Sequence, residues 1–586
     1  MKKQLLSYSL IGGGKSLVIS LLCILFATNL FAYDYSKTVD GVTLYFNELS
    51  TYEAEVAGAS NTGITSVTIP QSVSFQGASG KKTNHNVVSI GKSAFGSYKK
   101  LTTVKFEYPL LIKKIGESAF GGCASLASID LSSCTELEYV GDFAFDGCAS
   151  QALLSLPQPS KLSFIGESAF RDCSLSSTTL QIKTDQHVSI GHWAFFNTNL
   201  ETLDVEAKSF WCDIIIEEYI EGLNKLVDDN FHSVIIKAQD KIDYVNGQNE
   251  LTNLSLSGDT VSVEGDRRKT SKYSYLKTLT LEVNKYLEIG PGCFRETDDL
   301  RKINITARCP LDISSSFYSC RRIETINLNL YAEPHIASTA FPVADGFTDD
   351  NIVPTKLILE THNYQMNSSN TAEWIANSGI TSVTLKGDVN LGLGAFSNCQ
   401  KVTNISIDDK ATTSLYMDGS AFTGCNALTN IYANCYDYGS SGLGVYRKKS
   451  DGTYELAAVS PAASSERFNI TTTYGGALVT SIGDNAFYEY GGTVHVPYSV
   501  TSIGKLDRPK VTMWWFDGGI SPAVNSSTSF RNSILLVPSL AEYNKAPFSA
   551  ADKIVSTYSN NDEDVNNDGK VNATDAMQIY NYILSH

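Results

Sequence analysis

Ile90-Gly91-Lys92-Ser93-Ala94-Phe95 returns as Ile115-Gly116-Glu117-Ser118-Ala119-Phe120, then as Val140 to Phe145, Ile165 to Phe170 and Ile190 to Phe195, each copy 25 residues after the last. Six residues after the Phe a second pattern opens: Leu101-x-x-Val104-x-Phe106, Leu126-x-x-Ile129-x-Leu131 and, further on, Leu300-x-x-Ile303-x-Ile305. A fixed period of this length, with apolar residues in constant phase, means one supersecondary unit per repeat, stacked so that each coil buries its neighbour's apolar edge. The alternating apolar positions that close each unit place Leu, Ile and Val inward and the residues between them outward, as a half-buried strand does. In Ile-Gly-x-x-Ala-Phe, Gly allows a tight bend, Ala fits a crowded interior and Phe fills it. The expected fold is a β-rich, right-handed repeat solenoid with a parallel sheet, which builds a surface rather than a pocket.

The phase persists beyond the regular block. Looser copies stand at Ile289 to Phe294, Ile336 to Phe341, Leu391 to Phe396, Met417 to Phe422 and Ile482 to Phe487, with strands such as Ile380-x-x-Val383-x-Leu385 and Val402-x-x-Ile405-x-Ile407. These copies assign 76–545 to the solenoid and 33–75 to an N-terminal cap. A chain of 586 residues exceeds what one compact core usually holds, and a solenoid escapes that limit because contacts reach only adjacent coils. Residues 209–250 interrupt the period, and Ile214, Ile215, Tyr219, Leu223 and Leu226 lie at near-helical spacing, which predicts an inserted helix. Tyr436 to Gly452, rich in Gly, Ser and Tyr, reads as a solvent loop. Residues 546–560 read as a linker to a distinct segment, 561–586.

Residues 1–32 have the form of a secretory signal: Lys2, Lys3 and Lys15 precede an apolar run from Leu17 to Phe26, with a cut expected after Ala32. That run is too short to span a bilayer, and no later stretch offers a transmembrane segment. Gly14-Lys15-Ser16 matches only the tail of a phosphate loop, with Ser9 where its first Gly belongs. Loss of the three signal lysines takes the formal charge from −16 to −19. An acidic surface without a dense Lys/Arg run repels phosphate backbones, so nucleic acid is excluded as a partner class.

Twelve cysteines in an exported chain invite a disulfide framework, yet Cys123, Cys148, Cys173, Cys320, Cys399 and Cys425 all fall three residues after a repeat Phe. A Cys at a fixed coil position reads as a small inward hydrophobe in a ladder. Cys123 and Cys134 flank an extended strand, which separates them beyond the ~7 Å that bridging allows.

One constellation carries site chemistry. Asp564-Val565-Asn566-Asn567-Asp568-Gly569-Lys570-Val571-Asn572-Ala573-Thr574-Asp575 sets oxygen-bearing groups at loop positions 1, 3, 5, 9 and 12, with Gly at position 6. Calcium takes six or more oxygen ligands from a tightly turned loop, and the spacing supplies Asp564, Asn566, Asp568, the carbonyl of Lys570, Asn572 and Asp575. Ala576, Ile579, Tyr580 and Ile583 then share one face of a predicted helix, so the segment reads as a small calcium loop–helix. It resembles the dockerin half-motif, by which secreted bacterial proteins plug into cohesin modules. A dockerin normally has two such segments, and one is visible here. Ala573, Thr574, Tyr580 and Asn581 match positions that commonly contact cohesin, although many dockerins carry Ser-Thr and a basic pair there.

The body resembles the BspA-like leucine-rich-repeat family through its Ile-Gly-x-x-Ala-Phe-x-x-Cys-x-x-Leu-x-x-Ile-x-Leu signature. Asp40-Gly41-Val42 through Ile64 to Pro70 looks like the cap that opens such arrays, and Leu535-Leu536-Val537-Pro538 with Tyr543 and Ile554 looks like their closing module. The resemblance implies an exported or cell-surface protein, often an adhesin.

Enzyme signatures are missing: there is no His-Glu-x-x-His, Gly-x-Ser-x-Gly or Cys-x-x-Cys, and no catalytic or cofactor-binding residue is assigned. His192, in a repeat bend, reads as a surface residue. Trp514-Trp515-Phe516 reads as a strand burying alternate aromatics. Outward strand residues such as Asp204, Lys302, Asn304, Asn327 and Ser406 are mixed and polar. The expected function is that of a secreted or surface-held, adhesin-like protein whose solenoid binds a protein or glycan, with a Ca2+-binding C-terminal segment for docking or anchoring, for which the resemblance implies a cohesin-like partner. The rival expectation is a structural spacer or subunit of a secreted cohesin–dockerin-like assembly.

Overall fold

The computed structural model describes residues 33–557 apart from 77–79, 109–110, 149–152, 156–160, 174–178, 199, 213–232, 239–240, 247–252, 266–275, 291, 295–296, 298, 315, 318–319, 342–352, 436 and 463–466. The signal segment, the helix expected within 213–229, and the calcium loop with its helix lie outside the described residues. The chain divides into two compact units, 1–258 and 259–586.

The first unit opens on an antiparallel meander of Tyr35–Val39, Val42–Ser50 and Glu53–Ala59. Asp40 and Gly41 join the first two strands with φ of 48° and 80°, the two left-handed residues that a tight hairpin turn requires. Lys82–Ile90 then pairs in parallel with Glu53–Ala59, and from there the chain coils. Each coil contributes to two parallel strand series. In one, Ile90, Ile115, Val140, Ile165, Ile190 and Cys212 are successive register partners. In the other, Val67, Val104, Ile129 and Leu154 stack, as do Leu180, Leu203, Val234 and Leu254 further along. The Leu-x-x-Ile-x-Leu strand was legible in the sequence; the strand leading into Ile-Gly is an addition, because two or three residues of β pairing leave no alternation to read.

The repeat's glycine has a different role from the one expected. No left-handed φ occurs at Gly116, Gly141 or Gly191; the left-handed residues stand two positions later, at Ser93, Ser118, Phe143, Ser168 and Trp193, with φ of 50–55°. Gly is needed for approach: a Cβ on Gly141 or Gly191 would sit 2.6 Å from the backbone nitrogen of Glu117 or Glu167 in the preceding coil. Packing this close lines up the rest. Phe95, Phe120, Phe145, Phe170 and Phe195 form a column of rings 5.3–5.5 Å apart with planes within 10° of parallel. The thiols of Cys123, Cys148 and Cys173 donate to the carbonyls of Phe95, Phe120 and Phe145 at 3.1, 3.3 and 2.9 Å. Cys123, Cys134, Cys148, Cys173, Cys309, Cys399, Cys425 and Cys435 are free thiols, and burial pushes those of Cys123 and Cys134 up to about 12.

The period stretches at 209–250 without breaking the stack. Ser209–Cys212 pairs with His187–Ile190 and with Lys241–Asn246, and Ser233–Ala238 pairs with Thr202–Ala207. A solenoid tolerates extra residues in a turn as long as the strands on either side keep register.

In the second unit Leu279, Ile303, Ile326, Leu357, Val383, Ile405 and Ile431 stack in register. Among the described residues helix is confined to short pieces, chiefly Glu373–Ala376 and Leu540–Tyr543. The loop expected over 436–452 is instead an antiparallel meander of Tyr438–Ser441, Gly444–Lys448 and Tyr454–Val459. Gly442 makes the turn with φ of 59°, while Gly439 and Gly444 are buried within strands beside Tyr438, Val445 and Tyr446, a pattern that composition alone reads as loop. Parallel coiling resumes through Leu456, Ile482, Ile503 and Val524, and a five-stranded sheet ends on Lys553–Ser556, paired with Ile534–Val537. The stretch expected as linker, 546–560, therefore carries the last strand of the stack.

Candidate functional site

Among the described residues, no group of three or more His, Cys, Asp or Glu is placed to hold a metal. Asp564, Asn566, Asp568, Lys570, Asn572 and Asp575 lie outside the described residues. What the structure does position is surface.

The first surface belongs to the short strands before each Ile-Gly. Lys114, Tyr139, Phe164, Ser189 and Trp211 are register partners on successive coils, all with side chains on the face opposite the buried Ile and Val. Lys114 Nζ lies 4.9 Å from the Tyr139 ring centroid, and the Tyr139 and Phe164 rings stack at 4.6 Å with planes 9° apart. Trp211 is 47% exposed. Large amphipathic rings held rigid by a stack offer contact area at low entropic cost. Sequence reasoning missed this column. Its signal was the residue immediately before each Ile or Val of the motif, at the same 25-residue period from Lys114 to Ser189.

The second surface is the outward face of the Leu-x-x-Ile-x-Leu strands. Asn304 and Asn327 are register partners with Thr280. Asn304 Nδ2 donates to Thr280 Oγ1 at 3.1 Å, and Asn327 Nδ2 to Asn304 Oδ1 at 2.6 Å. Asn430 donates likewise to Asn404 at 2.8 Å. In the first unit Gln181 Nε2 donates to Asp204 Oδ2 at 2.9 Å. Amides at coil spacing donate to the rung before, so this face presents a hydrogen-bonded polar ladder, in which the buried Asn327 Oδ1 has no partner among the described residues.

The third surface surrounds Trp515. Trp514 and Phe516 are buried and Trp515 faces outward, as the alternation predicted. The Arg467 guanidinium lies 5.2 Å from the Trp515 centroid, the His495 ring 5.2 Å away, and His495 Nε2 is 2.8 Å from Asp517 Oδ2. His192, expected at the surface, is half-buried with its ring 4.4 Å from that of Trp193.

Shifted ionisable groups have structural causes. Burial raises the Tyr446 phenol to about 12. The hydroxyls of Thr413 and Ser414, which donate to Asp388 Oδ1 at 2.6 and 3.0 Å, hold that carboxyl below its usual range.

Comparison with known proteins fits this geometry. A family model described as BspA type leucine rich repeat region matches residues 74–201, 250–349 and 367–440 in six copies, and one described as dockerin type I domain matches 562–586. No curated protein matches. Solved structures similar to the chain include a leucine-rich repeat protein from Bacteroides ovatus (16% identity, 89% of this chain and 100% of that one, TM-score 0.25). A leucine rich cell surface protein from Faecalibacterium prausnitzii shares 14% identity over 90% of this chain and 95% of that one, with TM-score 0.17. The pneumococcal vaccine antigen PcpA shares 16% over 69% and 99%, with TM-score 0.24. Among the described residues no helix is long and apolar enough to cross a membrane.

Proposed function

This chain belongs to the BspA-type leucine-rich-repeat family, and from that premise we propose that it is an exported or surface-held, adhesin-like protein whose solenoid binds a host or microbial macromolecule, protein or glycan. The column Lys114, Tyr139, Phe164, Ser189 and Trp211 supports this reading: it sets partly exposed rings on successive coils, on strands other than those that carry the amide ladder. The C-terminal segment supplies a second capacity. Its dockerin match favours calcium held by Asp564, Asn566, Asp568, the Lys570 carbonyl, Asn572 and Asp575, and a cohesin-like partner. The same match favours the rival reading, in which the solenoid is a spacer and the dockerin segment alone gives specificity.

The deciding experiment compares Tyr139→Ser/Trp211→Ser with Asp568→Ala for capture by arrayed matrix proteins, glycans and cohesin modules. The adhesin reading expects the column variant to lose a matrix or glycan signal that Asp568→Ala keeps. Column changes without effect, beside loss of all capture in Asp568→Ala, would leave the spacer.

A further inference from the structure

Phe164–Ile165, His187–Ile190 and Ser209–Cys212 are consecutive parallel strands, with Phe164, Ser189 and Trp211 in register on their outward face. A ring, a small residue and a ring on neighbouring strands leave a slot one strand wide. Phe164 stacks on Tyr139 with centroids 4.6 Å apart and planes 9° from parallel, so its other ring face is turned along the stack, over Ser189 and toward Trp211. The two walls stand two strand spacings apart, ~9.6 Å. At the floor, the Ser189 hydroxyl has no hydrogen-bond partner among the described residues. Two residues earlier, on the same face of the same strands, His187 Nδ1 is hydrogen-bonded to the Ser209 hydroxyl. Trp211 is 47% exposed, so the far wall meets solvent.

We infer that this slot holds one pyranose ring of a neutral glycan. The inference rests on the reading of the solenoid as a binding surface and names the ligand class for it. Width is the first argument. Carbon layers in contact lie ~3.5–4.0 Å apart, so a flat aromatic ring between two walls needs ~7–8 Å, and a puckered saturated ring, with C–H bonds on both faces, needs about 1–2 Å more. The slot fits the second. Charge is the next. None of the three strands contains Lys, Arg, Asp or Glu, in a chain where these make up 18% of residues. Walls without charge match an uncharged ligand, and Glu167, exposed in the turn after Phe164, opposes an anionic one. The polar groups agree with this. The hydroxyls of Ser189 and Ser209 each donate and accept, as a sugar hydroxyl does. Phe164 is held in place by Tyr139 before any ligand arrives, which lowers the ordering cost of binding.

Ser189→Phe separates a slot from a stripe, because it fills the gap while lengthening the aromatic column that a protein ligand would touch. The mature chain and its variants are applied to arrayed neutral oligomers of glucose, galactose, mannose and N-acetylglucosamine, to sialylated and sulfated forms, and to matrix proteins. A neutral oligomer should bind, and Ser189→Phe and Trp211→Ala should each weaken it about tenfold or more, while Trp211→Phe stays within a few-fold of the parent. The charged forms should bind no better than the neutral ones. If Ser189→Phe lowers the denaturation midpoint, the exposed Trp211 decides alone, through Trp211→Ala against Trp211→Phe. Neutral-glycan binding unchanged in a folded Ser189→Phe, or in Trp211→Ala, overturns the inference, as does a preference for the sialylated or sulfated forms. Capture of a matrix protein with no glycan bound overturns it too and leaves the adhesin reading standing. Capture of neither removes both.

Discussion

Residues 90–195 and 467–556 both bury aromatic rings between coils, and they do so in opposite ways. In the first, one Phe per coil stacks on the next with planes 5–10° apart, so each ring touches two like neighbours. In the second, Trp514 meets Phe487 and Phe530 edge to face at 83° and 82°, and Phe516 meets Phe548 at 87°. A strict repeat imposes translation, and translated rings must lie parallel. Once the coils differ in sequence, the rings can turn toward the edge-to-face geometry that their quadrupoles favour. The regular region is consequently a chain of equal local contacts, and the closing region is one interlocked cluster.

The largest test of that contrast is Trp514→Ala, which should cost about 3–5 kcal/mol and couple strongly with substitutions at Phe487 and Phe530. Phe145→Ala should be costly too, yet couple with Phe120 and Phe170 while adding independently to changes at Phe95. Double-mutant cycles in urea read both. Next is Gly141→Ala, expected to destabilise by about 1–3 kcal/mol because its Cβ meets the Glu117 backbone rather than a yielding side chain. A neutral Gly141→Ala would contradict the close-approach role of this glycine.

The thiol ladder adds a pH dependence to the regular region. Cys123 and Cys134 keep their protons to about 12, whereas in the unfolded chain they lose them near the usual 9.0. Their contribution to stability is therefore complete below 9 and declines as pH rises toward 12, by up to about 1.4 kcal/mol per pH unit for each thiol. Denaturation midpoints from pH 8 to 11, compared with Cys123→Ala/Cys134→Ala, isolate that slope. The smallest effect is a gain. Ser168 has φ of 50°, and its buried hydroxyl has no hydrogen-bond partner among the described residues. Ser168→Gly should stabilise the protein by about 1 kcal/mol, visible as a raised denaturation midpoint.

The sequence made the solenoid legible because Ile-Gly-x-x-Ala-Phe recurs at a fixed period and its apolar phase has one packing solution. It failed where structure depends on what lies in the next coil. The strand before each Ile-Gly is too short to alternate, and the need for Gly141 is visible only against Glu117. The meander around Tyr446 looks like a loop because Gly and Ser also suit tight turns between strands. Of the surfaces, Trp515 could be placed from alternation, while the Lys114–Trp211 column could not, since adjacency across coils is set by register. The calcium loop rests on spacing and on the dockerin match over 562–586.

The most direct test of the division between recognising solenoid and docking tail is binding of the mature chain, and of a chain ending at Thr557, to matrix proteins, glycans and cohesin modules, each with calcium and with chelator. The account predicts a matrix or glycan ligand held equally by both chains whatever the calcium, with cohesin capture confined to the longer chain in calcium. Loss of every interaction on truncation and on chelation would contradict it and make the solenoid a spacer.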